Sequence, residues 1–222
     1  MLSRPLLELL WQKKGRSLSD RSSAIGCLAE IVTGMKEAIT PSTEALFSLF
    51  YQALQDEDAE VCSNAAFGIG LVVEHSGQDL SPQYGPLLSI LQPLFNLPAD
   101  APASKLTARD NAAGAVSRLI VRNTAAVPLE HVLPVLIGAL PLRNDLLENR
   151  PVFRAIFHLY RVQPAALAPY TDKLLSVFAH VLDPSGPDQV GDEIRGELIQ
   201  LVRALHAENP AKIQAAGLAA YV

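Results

Sequence analysis

The sequence predicts an all-α fold, an α-solenoid of about five stacked helix pairs that ends in a C-terminal capping helix and curves as a right-handed superhelical arc. The first observation behind this prediction is an internal repeat. DAEVCSNAAFGIGLVVE at 58–74 returns in altered form at 107–121 as TARDNAAGAVSRLIV, which places Asn64 and Asn111 47 residues apart. Looser copies at 20–32, 148–160 and 192–205 follow the same plan. Repetition at about 40 residues is typical of two-helix repeats.

Hydrophobic spacing and proline placement support the same fold. Apolar residues recur at helical spacing throughout the chain, and no segment alternates with period two for long enough to form a convincing strand. Many of the 16 prolines fall between the periodic segments, where a helix starts or stops, as do Pro41, Pro82, Pro98, Pro128, Pro164, Pro184, Pro187 and Pro210. No Gly/Ser linker divides the chain, so we expect one domain over residues 1–222.

The helix pairs are predicted in order along the chain, at residues 2–37, 41–75, 81–122, 128–161 and 164–207, with a terminal helix at 210–221. In the first pair, Leu2–Lys13 forms a short helix that includes Trp11, Gly15 ends it, and Ser19-Asp20 caps the second helix. The second pair is Thr43–Leu54 and a helix that starts at Asp56-Glu57-Asp58, where acidic residues complement the helix dipole.

The later pairs follow the same pattern. The Pro/Ala-rich insertion Leu97–Ser104 is predicted to be a mobile loop between the helices of the third pair, the second of which spans Thr107–Arg122. The fourth pair returns through Leu147–Arg161, with Pro151 in its first turn. The fifth consists of Pro164–Leu182 and Asp188–Ala207. The Ala-rich end of the chain is expected to cover the last apolar face.

Composition indicates a folded protein with an acidic balance. The chain has 222 residues, 49% of them hydrophobic, a formal charge of −5 and a pI near 5.5. This balance argues against a nucleic-acid surface and allows a basic ligand. Cys27 and Cys62 lie in apolar helical runs and are expected to be reduced and buried. No run is apolar and long enough for a membrane span, so a soluble intracellular protein is expected.

The sequence lacks the motifs of an enzyme. The five histidines are scattered without HxxxH or HExxH spacing, and there is no GxSxG motif. Gly68-Ile69-Gly70 lies inside a helix with no strand before it, which indicates close helix packing and not a dinucleotide loop. We therefore expect no catalytic residue, no metal and no cofactor.

Polar residues recur in register near the starts of the second helices. Second helices stack side by side along one face of a solenoid, so these residues are predicted to form a ladder of carboxylates and amides that contacts an extended basic peptide. Its members are Asp20, Asn64, Asp110, Asn111, Glu148, Asn149, Asp192 and Glu193. An alternative is that these side chains only cap helices and bridge neighbouring repeats.

The runs DAEVCSNAAFGIGLVVEHSG and TARDNAAGAVSRLIV resemble the C-terminal HEAT repeats of the importin-β (karyopherin-β) nuclear transport receptors. The resemblance implies a superhelix that shuttles between cytoplasm and nucleus and whose concave face binds basic nuclear-localisation segments, such as histone H3/H4 tails or ribosomal proteins. It also implies release by the GTPase Ran, through N-terminal repeats that have no counterpart here. The ladder residues are then the expected cargo contacts.

Two functions stay open at this point. The first is a non-enzymatic cargo-binding segment of a nuclear import receptor, in which the ladder binds Lys/Arg side chains and binding declines with salt. The second is a HEAT scaffold that docks a folded protein through apolar ridges and tolerates salt. Neither function requires a membrane or direct contact with nucleic acid.

Overall fold

The computed structural model describes residues 15–98 and 100–222. Within these ranges every regular element is helical, and the helices pack on one another as in a HEAT solenoid, which confirms the predicted fold class. The predicted helix Leu2–Lys13, including Trp11, lies outside the described residues. No helix in the described part of the chain is both long and apolar enough to cross a membrane.

The helices form two compact units, Met1–Val127 and Pro128–Val222. The prediction of a single domain and that of a right-handed arc stay predictions. In the first unit the α-helices are α1 (Leu18–Met35), α2 (Thr43–Ala53), α3 (Ala59–His75), α4 (Tyr84–Leu91) and α5 (Ala103–Arg122). Short 3₁₀ turns lie at Lys36–Ser42, Ser81–Gln83, Gln92–Phe95 and Thr124–Ala126.

The second unit contains six α-helices, two of which are short. Its α-helices are α6 (Leu129–Gly138), α7 (Asn149–Val162), α8 (Pro164–Leu167), α9 (Thr171–Leu182), α10 (Gly191–Glu208) and α11 (Pro210–Ala215). Its 3₁₀ turns are Leu146–Glu148, Ala168–Tyr170 and Ala219–Tyr221. The second helix of each predicted pair corresponds, in order, to α1, α3, α5, α7 and α10. We call these five the second helices below.

Helix α1 starts earlier than the sequence suggested. Ser17 and not Ser19 is its N-cap, because the Ser17 Oγ accepts the Asp20 N–H at 3.1 Å and the Asp20 carboxylate accepts the Ser17 N–H at 3.1 Å. This reciprocal capping box satisfies two backbone groups at once. Asp20 is therefore the third residue of the helix and not its cap.

Three other second helices start at different residues from those predicted. Helix α7 begins at Asn149 and not at Leu147, because Leu146–Glu148 forms a 3₁₀ turn. Helix α5 begins at Ala103, directly after Pro102, since alanine favours the helix and extends it into the predicted loop. Helix α10 begins at Gly191 and not at Asp188, because the Asp188 carboxylate accepts the Val190 and Gly191 N–H groups and holds the chain in a turn. The mobility of the loop before α5 stays a prediction.

The first unit is held together by close approach of its helices. A Cβ atom on Gly68 would overlap the ring of Phe50, which is fully buried on α2. A Cβ on Gly70 would lie 3.0 Å from the Cα of Ala115 on α5. The two glycines therefore allow α3 to contact helices on two sides, which supports the packing interpretation of the Gly-Ile-Gly motif.

The two cysteines occupy different environments. Cys62 is buried in α3, as expected, and its Sγ donates to the Asp56 carbonyl oxygen at 3.1 Å. Cys27 is exposed, so the prediction of a buried side chain is wrong there. Helix α1 buries Ile25 and Leu28, and Cys27 lies off that stripe.

The second unit has an aromatic core and a fixed C-terminal end. Phe153 of α7 lies 5.9 Å from Phe178 of α9 between ring centroids. The terminal helix, predicted at 210–221, is shorter in the structure and spans only Pro210–Ala215 (α11). Gly217 adopts a φ of 76°, which ends the helix. The Tyr221 hydroxyl donates to the Leu182 carbonyl oxygen, which fixes the last residues against the end of α9.

We predict that Gly68→Ala lowers the free energy of unfolding by about 1–3 kcal/mol, because the added methyl group overlaps the Phe50 ring in a packed core. Urea denaturation measures the change. Gly34→Ala is the matched control, since a Cβ there meets no atom within 4 Å and alanine favours the helix. Equal stabilities of the two variants would show that α2 and α3 are not in close contact.

Candidate functional site

The predicted ladder residues of the first unit lie between its second helices. The Asn64 amide on α3 donates to the Ser22 carbonyl oxygen at 3.0 Å and to the Ser22 Oγ at 3.1 Å. The Asn111 amide on α5 donates to the Ser63 Oγ at 3.0 Å. Each asparagine thus reaches back to a serine on the preceding second helix, and Ser63 is the direct neighbour of Asn64.

The carboxylates of the same unit occupy two contrasting positions. The Asp110 side chain has no exposed surface and forms an ion pair with Arg109 at 3.2 Å. Asp20 is exposed, and hydrogen bonds from the hydroxyl and the backbone N–H of Ser17 hold the pKa of its carboxyl below the ordinary value. Asp20 therefore keeps its negative charge down to lower pH than an ordinary aspartate does.

The second unit shows the same contrast. Glu148 is 2% exposed and Asn149 is 1% exposed, and the Asn149 amide donates to the Gln189 Oε1 at 3.2 Å. By contrast, Asp192 and Glu193 in the first turn of α10 are exposed. The Glu193 carboxylate lies 3.7 Å from the guanidinium of Arg154, in an ion pair whose side chains are both largely exposed.

The structure places most of the ladder side chains away from solvent. Four of the eight ladder side chains, Asp110, Asn111, Glu148 and Asn149, are buried, and Asn64 is half-buried with its amide already donated. The reason is that buried amides and carboxylates require hydrogen-bond partners, and the neighbouring elements supply them. Only Asp20, Asp192 and Glu193 are exposed. Contact of the ladder residues with cargo stays a prediction.

A buried ion pair that the sequence did not indicate joins two repeats. The Arg21 guanidinium of α1 lies 3.1 Å from the Asp56 carboxylate, with 7% and 0% of the side chains exposed. The same carboxylate oxygen accepts the Asp58 N–H at 3.1 Å. Asp56 was expected to complement the dipole of α3, but Asp58 alone caps that helix. Arg21 directly follows Asp20 in the sequence, but no repeated motif marks it.

A second charged contact joins α3 to α5 near their carboxyl ends. The Arg118 Nε donates to the Glu74 carboxylate at 2.8 Å, and the guanidinium lies 5.7 Å from the centre of the Phe67 ring. The Arg122 guanidinium donates to the Ser76 carbonyl oxygen at 2.8 Å. These long side chains connect neighbouring second helices near their carboxyl ends.

The second unit also contains an open groove of about 800 Å³. We call it the C-terminal groove. It lies between the last turns of α7 and α10, and α8, α9 and α11 complete its walls. Phe157, Leu175 and Ala204 contribute apolar surface, whereas Tyr160 and Glu208 contribute polar groups. Sequence reasoning missed this groove because its residues come from separate repeats.

Tyr160 is unusual among the groove residues. Its hydroxyl is shielded from water and has no hydrogen-bond partner in the described part of the chain. Burial, with a smaller effect of the Glu208 carboxylate, raises the pKa of Tyr160 to about 12. The side chain is therefore a neutral phenol under all physiological conditions, and its oxygen is an unused acceptor beside the groove.

The chain is an all-α HEAT-repeat protein, since its helices are paired and hydrogen bonds join successive second helices. No protein-family model matches the chain. It is 43% identical over 187 residues to a Schizosaccharomyces pombe protein named "Probable importin subunit beta-4". The aligned residues make up 84% of this chain and 17% of that protein. The chain belongs to the importin-β (karyopherin-β) family.

Two mammalian relatives agree with this assignment. The chain is 30% identical over 204 residues to Importin-4 of Homo sapiens, and the aligned residues make up 92% of this chain and 18% of the human protein. It is also 30% identical over 178 residues to Importin-4 of Mus musculus, and the aligned residues make up 80% of this chain and 16% of the mouse protein. The chain thus spans about one sixth of the length of the curated relatives it matches.

We predict that Asp56→Ala lowers the free energy of unfolding by about 3–5 kcal/mol, because it leaves the Arg21 guanidinium buried without its carboxylate. Replacing both side chains, as Arg21→Met/Asp56→Leu, should restore much of the loss. Arg154→Ala, which breaks the exposed pair with Glu193, is the control and should change stability by less than about 1 kcal/mol. Chemical denaturation of the four proteins tests this ranking.

A double-mutant cycle should detect the asparagine bridge. Ser63→Ala and Asn111→Ala are expected to be non-additive in the free energy of unfolding by about 0.5–1.5 kcal/mol, since either change alone removes the same hydrogen bond. The cycle of Asn111→Ala with Ser89→Ala, an exposed serine on α4, should be additive. A coupling of zero in the first cycle would contradict the bridge.

Proposed function

We propose that the chain is a cargo-binding segment of a nuclear import receptor that shuttles between cytoplasm and nucleus. The observation that carries this proposal is the 43% identity, over 84% of the chain, to a protein named as an importin subunit. The HEAT-type helix pairs support it, because stacked repeats offer extended surfaces for partner proteins. In this proposal, basic nuclear-localisation segments such as histone tails or ribosomal proteins are the cargo.

The exposed acidic side chains are the proposed contacts. Asp192 and Glu193 begin α10 and face solvent, and Asp20 lies in the first turn of α1 with a carboxyl pKa below its ordinary value. A carboxylate accepts charge-assisted hydrogen bonds from lysine and arginine. The formal charge of −5 favours encounter with a basic segment at low salt. Release by Ran would depend on parts of a receptor that are not in this chain.

We predict that Asp192→Lys/Glu193→Lys weakens binding of a histone-tail peptide about tenfold at low ionic strength, because two attractive carboxylates become repulsive cations. Fluorescence anisotropy measures the affinity. The control is Glu44→Lys/Glu130→Lys, which reverses the same number of exposed charges in the first turns of α2 and α6. If both double variants lose the same affinity for the peptide, the effect comes from net charge, and a local contact at Asp192 and Glu193 is contradicted.

Salt dependence separates this proposal from a scaffold that docks a folded protein. Binding through exposed carboxylates should weaken steeply as the Debye length falls below about 10 Å, which happens above about 0.1 M salt. Affinity that is unchanged by salt and by the Asp192→Lys/Glu193→Lys substitution would favour docking through apolar surface instead.

A further inference from the structure

We propose that an exposed apolar face of α1 is the docking surface for residues 2–13 of the same chain. The face consists of Cys27, Ile31 and Met35, which recur at intervals of four residues along the helix, and we call it the α1 stripe. Ile31 is 45% exposed, Met35 is 39% exposed, and Cys27 is exposed as well. Residues four apart lie on one side of a helix, so these side chains form a continuous apolar strip that another element can cover. The inference does not depend on the proposed function.

The repeat register identifies the part of α3 that is equivalent to the α1 stripe. Ser22 on α1 accepts a hydrogen bond from Asn64, as Ser63 on α3 does from Asn111. The two serines are therefore equivalent, and they are 41 residues apart. The first residues of α1 and α3 are separated by the same 41 residues. Hydrogen bonds and helix starts thus give one alignment of the two helices.

In this alignment the α1 stripe corresponds to Gly68, Val72 and Ser76 of α3, and all three are buried. A Cβ on Gly68 would overlap the Phe50 ring, and the Ser76 hydroxyl lies 2.8 Å from the Thr43 hydroxyl. Phe50 and Thr43 both belong to α2, which is the first helix of the second pair. This face of α3 therefore receives the first helix of its own pair. The equivalent face of α1 is expected to receive the first helix of the first pair, which the sequence places at 2–13.

Residues 2–13 match α2 in length and in pattern. The segment has 12 residues and α2 has 11. Its apolar residues recur at helical spacing, as Leu6, Leu7, Leu10 and Trp11. A helix of this length spans about 18 Å, and Cys27 and Ile31 lie about 14 and 20 Å from the start of α1, so the segment is long enough to cover Cys27 and reach Ile31. The sequence predicts this helix but not the surface that receives it.

The connection to α1 favours this occupant over an untethered one. Gly15 has a φ of 82°, the left-handed conformation that commonly follows the last turn of a helix, and Ser17 caps α1. Only Arg16 lies between these two residues. Helices that are joined by so short a connection are typically antiparallel neighbours. Tethering also raises the effective concentration of the segment at α1 well above that of a separate partner.

Cys27 supplies a direct test, because a covered thiol reacts more slowly than an exposed one. The experiment uses the whole chain and measures the rate at which iodoacetamide alkylates Cys27, by mass spectrometry of the labelled peptide. Leu10→Asp places a charge in the docked face of the segment and should raise this rate about tenfold. Gln12→Asp adds the same charge to the opposite side of the segment and should change the rate by less than about twofold. Cys62, which is buried in α3, should react slowly in all three proteins and so shows that the core is intact.

A second reporter lies on the segment itself. Trp11 is the single tryptophan of the chain, so tryptophan fluorescence comes from this residue alone. Ile31→Asp removes apolar surface from the α1 stripe and should raise the acrylamide quenching of Trp11 about twofold. Thr33→Asp, at an exposed position of α1 outside the stripe, should leave the quenching unchanged. Both substitutions are at exposed positions, so neither disturbs the buried core.

The outcomes separate the proposed occupant from others. If Cys27 reacts equally fast in the unmodified chain, in Leu10→Asp and in Gln12→Asp, residues 2–13 do not cover α1 and the proposal is wrong. If Cys27 is protected but the protection is lost on about hundredfold dilution of the chain, a second copy covers the stripe and the proposal is also wrong. Protection that survives dilution and is removed by Leu10→Asp, together with the response of Trp11 to Ile31→Asp, supports docking within the chain.

Discussion

Hydrogen bonds between successive second helices are the interaction on which the first unit depends. Close approach comes first, since Gly70 lets the backbone of α3 approach Ala115 of α5. At such a distance the short side chains of Ser63 and Asn111 meet directly. The Asn111 amide also donates to the Thr107 carbonyl oxygen of its own helix at 3.2 Å, so the bond to Ser63 favours the observed alignment by about 0.5–1.5 kcal/mol. Apolar contact brings the helices together, and the amide favours this register.

The same requirement decides which polar residues are available to a partner. Asp110 and Asn111 in the middle of α5 and Asn149 at the start of α7 are enclosed by other elements and have internal roles. The first turn of α10 faces solvent, and its two carboxylates are exposed there. A position in the repeat therefore does not determine function by itself, because the neighbours of each repeat decide whether a polar group is used internally or left to the surface.

Much of the fold could be predicted from the sequence, because helical periodicity and proline placement are local signals. The close packing of Gly68 and Gly70 could be predicted as well, since two glycines in a buried helix have few other uses. The pairing of Arg21 with Asp56 could not, because nothing local marks which guanidinium meets which carboxylate across 35 residues.

The candidate site was harder to predict than the fold. The recurring Asn64 and Asn111 were visible in the sequence, and the alternative that they bridge repeats was available, but the direction of their side chains depends on how far apart the helices pack. The C-terminal groove depends on where α7 and α10 end relative to each other. That relation arises only from tertiary packing, and Glu208 belongs to no repeated motif.

The ion pair between Arg21 and Asp56 has a consequence for how this array can be divided. The 3₁₀ turn Lys36–Ser42 looks like a natural cutting point, since it separates two predicted repeats. A fragment that began there would keep the buried Asp56 carboxylate and lose the guanidinium that neutralises it. Repeats of this type are often treated as interchangeable modules, but here the electrostatic unit crosses the module boundary, and any shortened or recombined version must carry both charges or neither.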